Sequence, residues 1–201
     1  MTKHPWVLRV VAVSLLAGVA CDKSESKEAK PEAGDAAPAG AAPAGEAPEA
    51  PEQKELAEAP DPADTTWKRI EQPFGSFEIP AQEGWNVTDN EVEGPDGIVI
   101  MAQSQNGITP DLVDDYLAAY DEVQKRDAPK YAEKARTKGA VGSAVAARVE
   151  GTFDNGTKFV TRDFLVFTGG KVVVLSARAP ESNAAALPGV IDHAARTLEV
   201  K

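Results

Sequence analysis

The sequence has little of the side-chain chemistry from which most metal and enzyme sites are built. Its 201 residues include one cysteine and two histidines, and only His193 lies beyond the first few residues. A single cysteine, Cys21, cannot form a disulfide within the chain, so in an exported protein it is free, paired between chains or modified. Without a second cysteine or a cluster of histidines, the ordinary zinc sites cannot be built.

Positive charge is also scarce. The chain has 21 lysines and arginines against 32 acidic residues, and its formal net charge is −11. Residues 22–63 carry −7 and residues 64–201 carry −6, so only the first 21 residues are basic. Because binding to nucleic acid depends on neutralising phosphates, we expect no nucleic-acid partner. We also expect no cofactor, since Gly169-Gly170-Lys171 lies between two predicted strands, where a hairpin accounts for the glycines.

The N-terminus has the order of an export signal. Lys3 and Arg9 precede an apolar run of eleven residues, Val10–Ala20, and small residues lie at its end. A membrane-spanning helix needs roughly 20 apolar residues, so this run is too short to be one. A positive flank, a short apolar core and small residues are typical of a removable signal peptide. We therefore predict a signal peptide over residues 1–20.

Cys21 makes this prediction more specific. The run that ends in Ala20-Cys21 resembles the lipobox of bacterial lipoproteins, in which the cysteine is acylated and becomes the first mature residue. Gly18 departs from that pattern, and Gly18-Val19-Ala20 also fits ordinary secretory cleavage at the same bond. The resemblance implies a membrane partner, the inner or outer membrane of a bacterial envelope, reached through acylated Cys21. Plain secretion is the alternative.

Residues 21–63 are predicted to be a disordered tether. From residue 22 to residue 63 the chain has no aromatic and no β-branched residue, and Leu56 is its only large aliphatic side chain. Such a segment cannot bury enough apolar surface to offset the entropy of ordering it. Its repeated prolines favour extended conformations. We expect this tether to hold the following domain, residues 64–201, away from the membrane.

The pattern of residues 64–201 predicts an α+β domain. Short strands precede a helix in which Thr109 is the predicted N-cap, Pro110 is the first helical residue, and apolar residues recur every three or four positions. A second helix begins near Pro188, with an apolar stripe of Leu187, Ile191, Ala194 and Leu198. His193 lies off that stripe, so we expect it to be solvated or flanking.

Between the helices the pattern predicts a three-stranded antiparallel meander. Asn155-Gly156 and Gly169-Gly170 are typical of two-residue hairpin turns. If both turns have two residues, Arg148 lies opposite Asp163, and Asp163 lies opposite Ser176. Arg148, Glu150, Asp163 and Arg178 then share one end of one sheet face. We expect this cluster to be either a solvated, ion-paired end of the sheet or a recognition patch.

Several of these segments together resemble a known fold. The stretches FGSFEIPAQEGWNV, RDFLVFTGGKVVVL and VIDHAARTLEV look like the PsbP-like fold, which small DcrB-like and LpqN-like bacterial lipoproteins share. The resemblance covers about Trp67 to Lys201. It implies an antiparallel sheet flanked by helices on both faces, and a class of mostly non-enzymatic accessory proteins.

These observations favour a lipid-anchored envelope protein whose domain binds an unknown envelope protein or small ligand without catalysis. We find no serine elbow, and one peripheral histidine is a poor start for a triad. The alternatives are an envelope hydrolase that uses carboxylates of the sheet domain, and a purely structural envelope component. A deep pocket with convergent acids would favour the hydrolase.

Overall fold

The structure of the protein is a computed structural model that describes residues 53–88 and 91–201. The predicted signal peptide, Cys21 and the predicted tether up to residue 52 lie outside these residues. In the described ranges, no helix is both long enough and apolar enough to cross a membrane.

The described residues form ten strands and two helices. In chain order these are β1 (Trp67–Gln72), β2 (Gly75–Pro80), β3 (Asn86–Val87), β4 (Glu91–Glu93), β5 (Val99–Asn106), α1 (Val113–Asp127), β6 (Ala132–Val141), β7 (Ala144–Asp154), β8 (Lys158–Thr168), β9 (Lys171–Pro180), α2 (Leu187–Arg196) and β10 (Glu199–Val200). Seven of these strands make one antiparallel sheet in the order β3-β4-β5-β9-β8-β7-β6, and β1, β2 and β10 make a second.

Helix α1 covers one face of the large sheet. Its apolar side chains recur as predicted, and Tyr116, Leu117 and Tyr120 are buried against Leu165 and Val174 of the sheet. The start of the helix differs from the prediction. A 3-10 turn over Pro110–Leu112 precedes the α-helix, because proline is accommodated at that turn while the regular bonding pattern begins at the next residue.

Helix α2 and the small sheet cover the opposite face. Leu187, Ile191 and Ala194 are buried as predicted, together with Phe77 of β2 and Phe164 of β8. Apolar side chains on both faces of a sheet require a layer on each side. The predicted fold class, an antiparallel sheet with helices on both faces, is confirmed, with the small sheet as an addition beside α2.

The packed region begins before the predicted boundary at Asp64. Residues 54–61, here called the strap, lie against the end of β6, where the backbone N–H of Leu56 donates to the carbonyl of Ala140 at 2.9 Å. Leu56 is 0 % exposed and belongs to the core beside α2. Gly139 permits this contact, since a Cβ there would collide with the carbonyl oxygen of Lys54. The prediction of a tether as far as Ala63 is corrected for these residues, because Leu56 enters the core and Arg148, Asp192 and Arg196 bond the backbone of the segment.

One predicted register is also wrong. Asp154 pairs with Lys158, so the β7–β8 loop has three residues, 155–157, rather than two. A carboxylate oxygen of Asp154 accepts the N–H of Gly156 at 2.9 Å and holds this longer loop. One extra loop residue moves the pairing by one position and exchanges the faces of β7 relative to β8. The β8–β9 turn has two residues, and Asp163 lies opposite Ser176 as predicted.

Candidate functional site: a pocket around Asp163

The four residues of the predicted recognition patch lie on two different faces. Arg148 pairs with Phe164 rather than with Asp163, and Asp163 pairs with Val149. Because side chains alternate along a strand, Arg148 and Glu150 lie on the α2 face, while Asp163 and Arg178 lie on the α1 face. The patch therefore does not exist as one surface, and each half has to be considered separately.

The α2 half is a structural ion-pair network. Arg162 bonds both carboxylate oxygens of Asp192 at 2.8 Å and one oxygen of Glu150 at 2.7 Å. Asp192, which is 0 % exposed, also accepts the backbone N–H of Ala59 at 2.8 Å. Arg148 donates to the carbonyl of Leu56 at 2.7 Å. These charged side chains hold the strap against the sheet. Because they bond one another and backbone groups, they are not available to a ligand.

His193 is buried, contrary to the prediction. It is 9 % exposed and stacks on Trp67 with ring centroids 3.4 Å apart. Its Nε2 atom lies 3.1 Å from Glu78, and its Nδ1 atom lies 2.9 Å from Asp61 without the direction of a hydrogen bond. The hydrogen bond from His193 is the main cause that lowers the pKa of Glu78. Sequence reasoning missed this cluster because strap, β1 and β2 converge on α2 only in the folded chain.

A cleft of about 290 Å³ lies between the β6–β7 hairpin and the end of α2. Its charged lining residue is Arg196, which already donates to the carbonyls of Ala57 and Ala59 at 2.8 Å and pairs with Asp61. The cleft is larger than the pocket described next, but its charged group already bonds the strap. Size alone does not select a site, since recognition needs polar groups that converge on the ligand.

The α1 half of the patch lies in a smaller pocket of about 40 Å³, here called the Asp163 pocket. Helix α1 ends at one wall, with Gln124 and Asp127. The large sheet forms the floor, because Thr161 and Asp163 of β8 lie opposite Arg178 and Ser176 of β9. The polar lining residues of the sheet are therefore fixed by strand register. The apolar lining residues are Met101, Ala128, Phe153 and Ala177.

Asp163 is the buried acid of this pocket. It is 2 % exposed, and burial raises the pKa of its carboxyl group to about 7, while hydrogen bonds from Ser176, Tyr120 and the backbone N–H of Ala177 partly oppose that shift. The hydroxyls of Tyr120 and Ser176 are themselves 3.4 Å apart.

Two hydroxyl groups near Asp163 have no hydrogen-bond partner among the described residues. One is Oγ1 of Thr161, a residue that is 8 % exposed, and the other is the hydroxyl of Tyr131. The ring of Tyr131 packs on Gly151, where a Cβ would lie 2.8 Å from the ring. Burial, and then the charge of Asp163, raises the pKa of Tyr131. A buried hydroxyl without a partner costs roughly 1–3 kcal/mol, so these groups need an explanation.

Arg178 differs from the other arginines of the described residues. Six of the seven donate to a carboxylate or a carbonyl, namely Arg69, Arg126, Arg136, Arg148, Arg162 and Arg196. Within the described residues Arg178 makes no side-chain hydrogen bond or ion pair. The pocket therefore combines an unpaired guanidinium group, an unpartnered hydroxyl and a buried carboxyl group. This arrangement can bind a small polar group.

Comparison with known proteins found similar solved structures but no family. No protein-family model matches the sequence, and no curated protein matches it. Solved structures similar to this chain include LpqN from Mycobacterium tuberculosis, a protein involved in cell envelope biogenesis. LpqN has 14 % identity over 69 % of this chain and 92 % of its own chain, at a TM-score of 0.49. CyanoP from Synechocystis has 11 % identity over 68 % of this chain and 94 % of that one, at 0.46. The Ran-binding protein Mog1p of Saccharomyces cerevisiae has 14 % identity over 68 % of this chain and 96 % of that one, at 0.47.

Each of these likenesses has a TM-score below 0.5. At such identities they say nothing about what this chain binds. In the described residues no three histidine, cysteine, aspartate or glutamate side chains are grouped to hold a metal ion.

Proposed function

We propose that this protein is a lipid-anchored component of a bacterial envelope whose folded domain binds a small ligand without catalysis. The observation that supports the anchor is the order of the first 21 residues, in which a basic flank, a short apolar run and small residues precede the single cysteine. More than one acyl chain on Cys21 would hold the protein to a membrane, whereas a single chain binds only marginally.

The Asp163 pocket supports the second half of the proposal. It is concave, it lies between α1 and the sheet, and polar groups of two adjacent strands converge on it. Ligand sites are concave and contain a small number of polar groups that converge on the ligand. Two other polar clusters, around Asp192 and His193, are occupied by contacts that hold the strap.

The hydrolase alternative receives less support from this geometry. A carboxyl group acting as general base needs a free acceptor oxygen within reach of the substrate. Asp163 is instead 2 % exposed and faces donor groups of Ser176, Tyr120 and Ala177. Asp127 on the opposite wall is bonded by Arg126 at 2.7 and 2.9 Å. Neither acid is arranged to activate a water molecule, and we therefore propose binding rather than hydrolysis.

Replacement of Cys21 tests the anchor. We expect the wild-type chain, expressed in a bacterial host, to sediment with membranes and to require detergent for release. Cys21→Ser should move the protein to the soluble fraction, because the acyl chains are lost. Mass spectrometry of the N-terminal peptide of the wild-type protein should show an acylated Cys21 as the first residue.

Arg178→Gln serves as the control for this experiment, since it changes the pocket and should fractionate like the wild type. Retention of Cys21→Ser in the membrane fraction would contradict the anchor. An unmodified Cys21 at the mature N-terminus would support plain secretion instead.

A further inference from the structure

We propose that the Asp163 pocket binds a short aliphatic carboxylate, with Arg178 pairing with the carboxylate group and the hydroxyl of Thr161 donating a second hydrogen bond. This inference rests on the proposed binding function and names the chemical class of the ligand. The clusters around Asp192 and His193 already contact the strap, whereas this pocket leaves polar groups without a partner.

The unsatisfied groups are mainly donors. Arg178 has five N–H donors and, within the described residues, no side-chain partner. Oγ1 of Thr161 is buried without a partner and lies on the strand directly opposite Arg178. The carboxyl group of Asp163 already faces donor groups of Ser176, Tyr120 and Ala177. A ligand that completes these bonds must bring acceptor oxygens and negative charge.

The dimensions of the pocket favour a carboxylate over a larger anion. A volume of about 40 Å³ accommodates the planar carboxylate end of an alkyl chain and excludes a ring. One water molecule requires roughly 10–15 Å³ on this measure, so the space corresponds to a few heavy atoms. A guanidinium group matches the two oxygens of a carboxylate in a planar, bidentate pair. Met101, Ala128 and Phe153 give the pocket an apolar side for the alkyl part of the ligand.

The charges that face the pocket are compatible with an anion below neutral pH. Asp127 is already paired with Arg126, and Tyr120 and Tyr131 are neutral because burial raises their pKa values. The remaining acid is Asp163, whose raised pKa keeps it protonated under mildly acidic conditions. A bound carboxylate and an ionised Asp163 would repel each other. Binding should therefore be stronger at pH 6 than at pH 8.

Titration with butyrate tests the proposal on the full chain purified in detergent. At pH 6 we expect saturable changes in the NMR signals of Thr161, Asp163 and Arg178, and no such changes with butyramide, which has the same shape without the charge. Arg178→Gln should weaken butyrate binding by about tenfold or more, as expected for the loss of a charged hydrogen-bonding partner. Arg136→Gln, the same substitution at an arginine of β6 in the same sheet that is paired with Glu133, is the matched control and should bind like the wild type.

Thr161→Val separates binding from folding. Removal of a buried hydroxyl without a partner should leave the free protein as stable as the wild type or more stable, while butyrate binds more weakly. A free dipeptide, Ala-Ala, and its C-terminal amide form a second pair of probes. Binding of the dipeptide without binding of butyrate would overturn the short-acid proposal in favour of a peptide C-terminus.

Equal shifts with butyrate and butyramide, or unchanged butyrate binding by Arg178→Gln, would also overturn the proposal. Such a result would leave the membrane anchor of the Cys21→Ser experiment intact. The failure of the ligand proposal is therefore distinguishable from the failure of the proposed anchoring.

Discussion

Asp163 should make the stability of the domain fall as pH rises from about 4 to about 7. The pKa of its carboxyl group is 3.8 when the side chain is exposed and about 7 when it is buried in the fold. Between these values the folded protein holds a proton that the unfolded chain has already released. Because the folded state then binds more protons, the free energy of unfolding decreases with increasing pH, and it levels off above pH 7.

The size of the effect follows from the two pKa values. Each pKa unit corresponds to about 1.36 kcal/mol, so the full shift is worth on the order of 4 kcal/mol. The part lost between pH 5 and pH 8 is roughly 2.5 kcal/mol, since the folded protein keeps its proton until the pH approaches 7. Domains are typically stable by about 5–15 kcal/mol, so a change of this size is readily measured.

Asp163→Asn removes the titration while it keeps the size of the side chain. Urea unfolding at pH 5 and pH 8 should give a smaller loss of stability in the variant than in the wild type, by roughly 2.5 kcal/mol. The difference between the two pH values within each protein is the quantity to compare, because the amide also changes the hydrogen bonds to Ser176 and Tyr120. Contributions from the other titratable groups are common to both proteins and cancel in this comparison. Equal pH dependence in the two proteins would refute the reasoning, as would a wild-type stability that increases over this range.

Two further predictions concern the α2 face. Gly139→Ala should displace the strap, because the new Cβ would collide with the carbonyl oxygen of Lys54. Limited proteolysis should then cleave within residues 54–61 faster than in the wild type. An unchanged cleavage rate would contradict the described packing of the strap against β6. Asp192→Asn should destabilise the domain by roughly 3–5 kcal/mol in urea unfolding, because it leaves Arg162 buried without its main partner. Glu150→Gln should cost clearly less, since that carboxylate is one-third exposed, and equal losses would show that burial of the pair does not control its contribution.

The elements that the sequence predicts well are those specified by neighbouring residues. The buried face of α1 follows from apolar residues three and four positions apart, and Gly169-Gly170 predicts the β8–β9 turn because both residues adopt positive φ angles of 59° and 72°. The placement of Pro188 near the start of α2 is likewise a local feature. Local geometry is therefore sufficient for the class of fold.

The predictions that fail are those that depend on contacts distant in the chain. One additional residue in the loop after Asp154 separates Arg148 from Asp163, and no local pattern distinguishes a two-residue turn from a three-residue loop at Asn155-Gly156. His193 is buried by Trp67 and Asp61, which are far from it in the sequence. Leu56 appears as an isolated aliphatic residue until β6 supplies its backbone partner.

The polar groups on the two faces of the large sheet differ in whether the fold supplies their hydrogen-bond partners. This difference indicates which face carries the candidate ligand site. On the α2 face, Arg148 and Arg162 bond the strap or the acid that holds it, so the fold itself accounts for their positions. On the α1 face, Arg178 and Thr161 receive no such partner from the described chain, although a buried hydroxyl without one is costly. Selection for stability alone would favour an apolar side chain in place of Thr161, as the other buried positions of that face show with Leu165, Val172 and Val174. A ligand that supplies the missing acceptor oxygens would explain why Thr161 is a polar exception among these positions. The strap lies on the opposite face of the sheet, so it would not block the approach of this ligand to the pocket.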